Sequence, residues 1–217
     1  MCSRFRPLAA ILEDGSIVTW GDPLFGGDSS RVQDELKNVQ QIQATSCAFA
    51  AILSDGSVVT WGDPQHGGVS WPFEDDLQGV QQIQATDGAF AAILADGSVV
   101  AWGDGDYGGD SFDVQDQLKD VKQIQATHQT IHSDGVFGAF VAIRADGSVV
   151  SWGHPEFGGD STGVRNQLRG VQQVASDSVF AAILADGSVV AWGNEEEGGN
   201  SFELEDFIDF TDPTAEL

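Results

Sequence analysis

Basic side chains are scarce in this chain of 217 residues. It carries 9 Lys and Arg against 34 Asp and Glu, which gives a formal net charge of −25. No Lys or Arg occurs between Lys37 and Lys119. A surface with this charge repels phosphate backbones, so nucleic acid is a poor partner. The charge suits a basic protein partner, or serves only to keep the chain soluble.

Cysteine and long apolar runs are scarce as well. The two cysteines, Cys2 and Cys47, occupy non-equivalent places. The sequence therefore predicts neither a disulfide framework nor a metal-binding spacing, and it favours a reducing, intracellular compartment, the cytoplasm. No run approaches the ~18 consecutive apolar residues that a membrane helix needs. Since no apolar signal segment follows the first residues either, we expect neither secretion nor membrane insertion.

A hairpin signal recurs along the chain. In the stretch 50–62, two apolar runs flank Asp55-Gly56, and a two-residue Asp-Gly loop predicts a β-hairpin because glycine adopts positive φ without a Cβ clash. Each copy ends in Trp-Gly, and the five tryptophans lie 41, 41, 50 and 40 residues apart. Such a period is typical of repeat architectures. The hairpin units span 9–21, 50–62, 91–103, 141–153 and 181–193.

Further elements surround each hairpin. An alternating run such as 39–45 predicts a preceding strand. The apolar strand 48–53 should be covered on both faces. After Trp-Gly come a glycine-rich loop and a short helix with apolar residues four apart, whose free amides a serine would cap. The expected fold is an all-β array of about five units with three to four strands each and short connecting helices, in a single repeat domain, 1–217. The capping serines would be Ser29, Ser70, Ser111, Ser161 and Ser201.

The two ends depart from the repeat. The first unit lacks its Val-Gln-Gln strand, and the last unit continues past its helix into 207–211. We favour a closed ring in which this tail supplies the missing strand, and an open arc with a frayed terminus is the alternative. If one chain does not close the ring, an oligomer becomes possible.

The run Ala-x-x-Asp-Gly-Ser-Val-Val-x-Trp-Gly-Asp, preceded by Val-Gln-Gln-Ile-Gln-Ala-Thr, resembles the regulator of chromosome condensation repeat. The resemblance covers nearly the whole chain and extends to the propellers of HECT-type ubiquitin ligases. It implies a β-propeller. Rings of that family usually have seven longer blades, so five short copies imply a five-bladed ring, an open arc or a fragment. No motif here matches the family's exchange or nucleosome-facing residues, and no catalytic HECT segment is present.

Comparison of the copies separates an invariant end from a variable one. If the strands alternate in direction, the Asp-Gly turns lie at one end. The loops after the first strand and after Trp-Gly then lie at the other end, which we call the top face. The top loops vary strongly, and repeat proteins often bind through their variable face, although unconstrained loops also drift. The candidate binding residues are Leu24, Phe25, Gln65, His66, Asp106, Tyr107, His128, His132, Glu156, Phe157, Glu196 and Glu197.

An insertion interrupts the repeat between Trp102 and Trp152. The extra residues fall around 128–134, where His128 and His132 lie four apart. On a helix this spacing would suit a metal, but Ser, Asp and Gly crowd the stretch. We therefore favour an exposed loop or a partner contact and assign no metal.

No pattern points to catalysis. Neither a Ser-His-Asp set nor a phosphate loop is evident. The identical placement of the five tryptophans argues for packing between blades rather than for sugar stacking. We predict a non-enzymatic, cofactor-free scaffold that binds a basic protein through the top face. Two alternatives stay open: a GTPase-exchange or ubiquitin-ligase-linked regulator, implied by the resemblance alone, and a propeller lectin that uses the same loops.

Overall fold

The computed structural model describes residues 7–73, 75–127, 130–132 and 135–199, with backbone only for 130–132 and 135–136. Within these ranges the regular elements are strands and 3-10 turns. The strands are β1 (Leu8–Ile11), β2 (Ile17–Trp20), β3 (Val39–Ala44), β4 (Ala48–Leu53), β5 (Val58–Gly62), β6 (Val80–Ala85), β7 (Ala89–Leu94), β8 (Val99–Gly103), β9 (Val121–Ala126), β10 (Thr130–His132), β11 (Gly135–Phe137), β12 (Ala139–Arg144), β13 (Val149–Gly153), β14 (Val171–Ser176), β15 (Phe180–Leu184) and β16 (Val189–Trp192). The 3-10 turns are Pro23–Phe25, Pro64–His66, Gly105–Tyr107, Phe112–Gln117, Pro155–Phe157 and Glu195–Glu197.

The strands form one antiparallel sheet for each repeat, as the all-β prediction requires. The first sheet has two strands, β1 and β2, because its unit lacks the Val-Gln-Gln run. The next sheets have three strands each, in the orders β3-β4-β5, β6-β7-β8, β9-β12-β13 and β14-β15-β16. The insertion adds a separate hairpin, β10-β11, between β9 and β12.

Each Asp-Gly turn is held by the same local bonds. In the second unit, Asp55 Oδ1 accepts hydrogen bonds from the amide and the hydroxyl of Ser57, at 3.0 and 2.6 Å. Gly56 has a φ of 82°, which favours glycine. The bonds from Ser57 lower the pKa of Asp55 because they stabilise its ionised form. These bonds recur in all five hairpins, so the predicted hairpins are confirmed. The predicted two-residue loop is wrong: the Leu53 amide donates to the Ser57 carbonyl and the Gly56 amide to the Leu53 carbonyl, both at 2.9 Å, so the loop has three residues, 54–56.

Consecutive sheets pack face to face through one repeated contact. Trp61 stacks on Phe49 of its own sheet at 5.1 Å between ring centroids. Its Nε1 donates to the carbonyl oxygen of Gly26 in the preceding unit, at 3.1 Å. Trp102, Trp152 and Trp192 make the same bond, and all four tryptophans are buried. Packing between blades is thus confirmed for these four, and none of them offers a ring face for sugar stacking.

The segments after the glycine-rich loops correct one prediction. They are successive turns, or in 112–117 a short 3-10 helix, and the predicted serine caps are wrong. Asp28 and Asp110 accept the first amides instead. Ser29 is buried against Thr19, so its hydroxyl bonds to side chains of the outer rim. The apolar positions do dock as predicted, since their leucines are buried: Leu36, Leu77, Leu118 and Leu168. Ser201 lies outside the described residues.

The described sheets form an open array. Trp20 on the first sheet is 49% exposed and Ile183 on the fifth is 41% exposed, so the outward faces of these two sheets do not pack on each other. The predicted closure by 207–211 falls outside the described residues. In the described ranges, no helix is both long enough and apolar enough to span a bilayer.

Candidate functional site

Two sets of loops meet at one end of each sheet. In the second unit, the Asp63 amide donates to the Cys47 carbonyl at 2.9 Å, and Thr45 Oγ1 donates to the His66 carbonyl at 3.1 Å. The Asp-Gly turns lie at the opposite end, where the Gly56 carbonyl accepts from the Val80 amide of the next unit at 2.8 Å. The loops after the first strand and after Trp-Gly therefore share the top face.

A 3-10 turn presents the variable residues of each unit. An aspartate starts the turn in the first three units, and in the second Asp63 Oδ1 accepts from the Gln65 amide at 2.9 Å. Gly67 ends that turn at a φ of 89°. This geometry exposes the second residue of every turn, namely Leu24, Gln65, Asp106, Glu156 and Glu196. The third residue differs: Phe25, His66 and Tyr107 are partly buried, Phe157 is buried and Glu197 is exposed.

Phe157 differs from the other candidate binding residues in its burial. It is only 2% exposed, and its ring lies 5.6 Å from Phe137 and 5.1 Å from His154. Phe157 therefore belongs to the core, and its prediction as a binding residue is wrong. The repeat pattern could not reveal this packing because Phe137 comes from the insertion.

The insertion itself departs from the expected loop. Its backbone forms the hairpin β10-β11, with Thr130 opposite Phe137. A strand over 130–132 removes the helical spacing on which a histidine pair would depend. His128 lies outside the described residues, and His132 is described only by its backbone, so their contact with a partner stays a prediction.

Tyr107 occupies a constrained and electronegative position. A Cβ on Gly88 would lie 2.6 Å from Tyr107 Cγ, so the ring sits directly on that glycine. Burial raises the pKa of Tyr107, and the negative charges of Asp104, Asp87 and Asp106 raise it further. The His66 ring of the second unit lies 6.2 Å away. We call Tyr107, His66 and the three aspartates the Tyr107 cluster. Sequence reasoning named Tyr107, His66 and Asp106 but missed how Gly88 seats the ring.

The charge around Tyr107 can be tested by titration, because Tyr107 is the only tyrosine of the chain. Carboxylates oppose formation of the phenolate. Changing Asp87, Asp104 and Asp106 together to Asn should therefore lower the pKa of Tyr107 toward its ordinary value, as followed by ultraviolet absorbance. The matched control changes Asp34, Asp113 and Asp116 on the outer rim to Asn. Equal shifts in both triple variants would show that net charge, and not the cluster, sets this pKa.

A second group on the top face has metal-ligand character but an incomplete donor set. Ligand atoms of Cys47, Asp63 and His66 lie within 4.8 Å of one another. Cys47 is disulfide-bonded, however, so its sulfur is not an available thiolate. The remaining pair, His66 Nδ1 and Asp63 Oδ2 at 3.3 Å, makes an ion pair when His66 is protonated.

The disulfide also corrects the interpretation of the cysteines. The only other cysteine of the chain, Cys2, lies outside the described residues. With Cys47 oxidised, the cysteines no longer favour a reducing compartment. The intracellular location stays a prediction without that support.

Comparison with known proteins shows which solved structures this architecture resembles. No protein-family model matches the chain, and a comparison with curated proteins found no match. Yeast RCC1 (Prp20), solved with Kap60 bound, superposes with a TM-score of 0.53 at 18% identity, over 87% of this chain and 54% of that one. A structure of Prp20p from Saccharomyces cerevisiae, described with its binding to Gsp1p and histones, gives 0.53 at 18% identity, over 85% and 54%.

The chain thus spans about half the length of the propellers that it matches. At 18% identity the likeness concerns the fold, and it agrees with the repeated motif in the sequence. The chain therefore has a β-propeller-like repeat fold, similar to that of these two proteins.

Proposed function

We propose that this protein is a non-enzymatic interaction scaffold that binds a basic protein through its top face, with the Tyr107 cluster at the centre. The observation that carries the proposal is geometric: the Tyr107 ring rests on Gly88 at the top face, where Asp104, Asp87 and Asp106 surround it with negative charge. Burial is the first cause of the raised pKa of Tyr107, and it opposes any charge; the three aspartates add a negative field, and that field favours a cation at the same place.

The cluster also has the components of a binding anchor. Tyr107 is partly buried and rests on Gly88, so its ring loses little freedom on binding. A Lys or Arg side chain placed on such a ring gains a cation–π interaction. Aromatic residues of this kind carry much of the energy at protein interfaces. Exposed charges such as Asp106, Glu156 and Glu196 would mainly steer the partner toward the face.

The fold supports a role in protein binding. Yeast Prp20p binds Gsp1p and histones, so a propeller of this architecture can present binding surfaces for proteins. Net charge adds the preference for a basic partner, because −25 on 217 residues attracts cations at long range.

A kinetic binding series tests the proposal. The immobilised full chain is exposed to purified core histones as a basic probe, and to serum albumin as an acidic control, at low and at moderate salt. We expect binding of the basic probe, with an association rate that falls as salt shortens the reach of the field to about 10 Å at 0.1 M. An association rate that is independent of salt, or equal binding of the acidic protein, would contradict a top face selected by charge.

A further inference from the structure

The outward faces of the first and fifth sheets are the two halves of an interface that the chain builds four times internally. At each internal contact, a tryptophan and its stacked phenylalanine pack on the preceding sheet. At the three contacts between three-stranded sheets, the contact residues of that sheet include an alanine and the isoleucine at the end of its middle strand; at the first contact the cluster holds Ala9 and Ile17 instead. Trp102 and Phe90, for example, share a buried cluster with Ala50 and Ile52. We call the face with the tryptophan the Trp face and the face with the isoleucine the Ile face.

These two faces are buried between sheets and exposed at the ends. Trp20 is 49% exposed, whereas the four other repeat tryptophans are 2–4% exposed. Leu8, which pairs with Trp20 as Phe49 pairs with Trp61, is also exposed. On the opposite end, Ile183 is 41% exposed, against 4–6% for Ile52, Ile93 and Ile143 on the other three-stranded sheets. Their counterpart on the two-stranded first sheet, Ile11, is 40% exposed although that sheet packs on the second, so the comparison holds for the three-stranded sheets.

One donor on the first sheet and one acceptor in the fifth unit lack the hydrogen bond that is repeated between the described units. The four internal tryptophans donate from Nε1 to the carbonyl of a glycine in the preceding unit, at 3.0–3.1 Å. In the described part of the chain, Trp20 Nε1 has no such acceptor, and the Gly198 carbonyl has no such donor. Trp20 and Gly198 are both exposed in the single chain. A contact that buries their indole and carbonyl groups would have to pair them, as the internal contacts do.

The glycine that ends the 3-10 turn of each unit contacts a phenylalanine of the following unit, and among the described residues Gly198 has no such contact. A Cβ on Gly26, Gly67, Gly108 or Gly158 would approach the phenylalanine ring of the following unit to within 2.5–2.7 Å. Among the described residues, which end at 199, a Cβ on Gly198 would meet nothing within 4 Å. The fifth unit thus presents the seat that every internal unit fills with an apolar side chain.

We propose that the Trp face of the first sheet docks on the Ile face of the fifth sheet of a second copy. The contact remakes the internal interface head to tail: Trp20 packs near Ile183 of the second copy, its Nε1 donates to the Gly198 carbonyl of that copy, and Leu8 fills the seat of the phenylalanine. The contact uses two different patches, so it is heterologous and can propagate beyond a dimer. It leaves the top face free and is independent of the binding function proposed above.

Two features limit the strength of this contact. The first sheet lacks the inner strand that supplies Val80 and Ile83 to the internal cluster, so the remade interface is smaller. Each copy also carries a net charge of −25, so the copies repel each other. Salt screens that repulsion. Self-association should therefore grow with protein concentration and with salt, whereas binding of a basic partner weakens with salt.

Sedimentation velocity of the full chain across a wide concentration range tests the proposal. We expect wild type to form dimers and larger species, more so at high salt. Trp20→Asp and Ile183→Asp should each weaken association by about 30-fold, as loss of an interface hot spot does. The matched control Trp71→Asp replaces a more exposed tryptophan outside both faces and should leave association unchanged.

Mixing the two variants gives a sharper test. The Trp20→Asp chain keeps an intact Ile face and the Ile183→Asp chain keeps an intact Trp face, so the mixture should form one contact and stop at a dimer. Circular dichroism checks the fold, and the milder Trp20→Gln and Ile183→Gln pair replaces any variant that does not fold. Wild type that stays monomeric at all concentrations, or a mixture that stays monomeric while wild type associates, would overturn the proposal.

Discussion

Replacing Gly56 by Val is expected to destabilise the protein strongly, whereas the same change at Gly187 should cost only backbone strain. Both glycines have positive φ, 82° and 87°, which a β-branched residue resists by about 1–3 kcal/mol. A Cβ on Gly56 would also lie 2.8 Å from the Gly79 Cα of the next unit, but a Cβ on Gly187 meets no described residue within 4 Å. The backbone shift that this close contact would force adds about 1–3 kcal/mol to the loss of stability.

The loss at Gly56 is therefore about 2–6 kcal/mol, a large part of the 5–15 kcal/mol that stabilises a typical domain. The shift would also disturb the bond from the Val80 amide to the Gly56 carbonyl, which ties the second unit to the third. Urea unfolding of both variants measures the difference, at low protein concentration so that the face around Gly187 stays unoccupied. Equal losses in the two variants would show that close approach to Gly79 is not what requires the glycine.

The hairpins were predictable because their cause is local. Asp55, Gly56 and Ser57 form the turn with their own side chains and backbone, so the sequence alone specifies it. Tryptophan burial followed from repetition, since one residue at one position in every unit points to one shared environment. The exception, Trp20, is also explained by repetition, because the described residues hold no unit before its sheet.

The predicted serine caps are wrong because the serine hydroxyl forms a tertiary hydrogen bond instead of capping the local backbone. Ser29 is suitably placed to cap, but Thr19 lies ten positions earlier on the outer strand and takes its hydroxyl at 3.0 Å. Asp28, one residue before, then supplies the cap. No local pattern distinguishes the two residues, as both are favoured at that position.

The top face was partly predictable for the same reason. Repeated 3-10 turns place equivalent residues at one end, so variability among the copies located the face. The surroundings of each residue depend on other loops: Phe137 of the insertion covers Phe157, and Gly88 seats Tyr107. Gly88 occupies the position that Cys47 has in the second unit. This replacement by glycine was the signal in the sequence from which a close ring contact could have been predicted.

Removing the charge or the ring of the Tyr107 cluster should affect different steps of binding to the basic probe. The triple change of Asp87, Asp104 and Asp106 to Asn should slow association about tenfold at low salt and have little effect at high salt, because these charges act at long range. Asn at position 104 preserves the local cap, since Asn194 accepts the equivalent amide in the fifth unit at 2.9 Å. The rim triple variant at Asp34, Asp113 and Asp116 carries the same change in net charge.

Tyr107→Ala should act on the other step and speed dissociation about 30-fold at both salt concentrations, because it removes the anchor and not the field. A substitution confined to the exposed second position, Gln65→Ala, provides a matched control on the same face and should change neither rate much. If the rim triple variant slows association as much as the cluster variant does, the partner responds to net charge alone. If Tyr107→Ala dissociates like wild type, the contact lies away from this ring, and the centre of the binding surface must be sought elsewhere on the propeller.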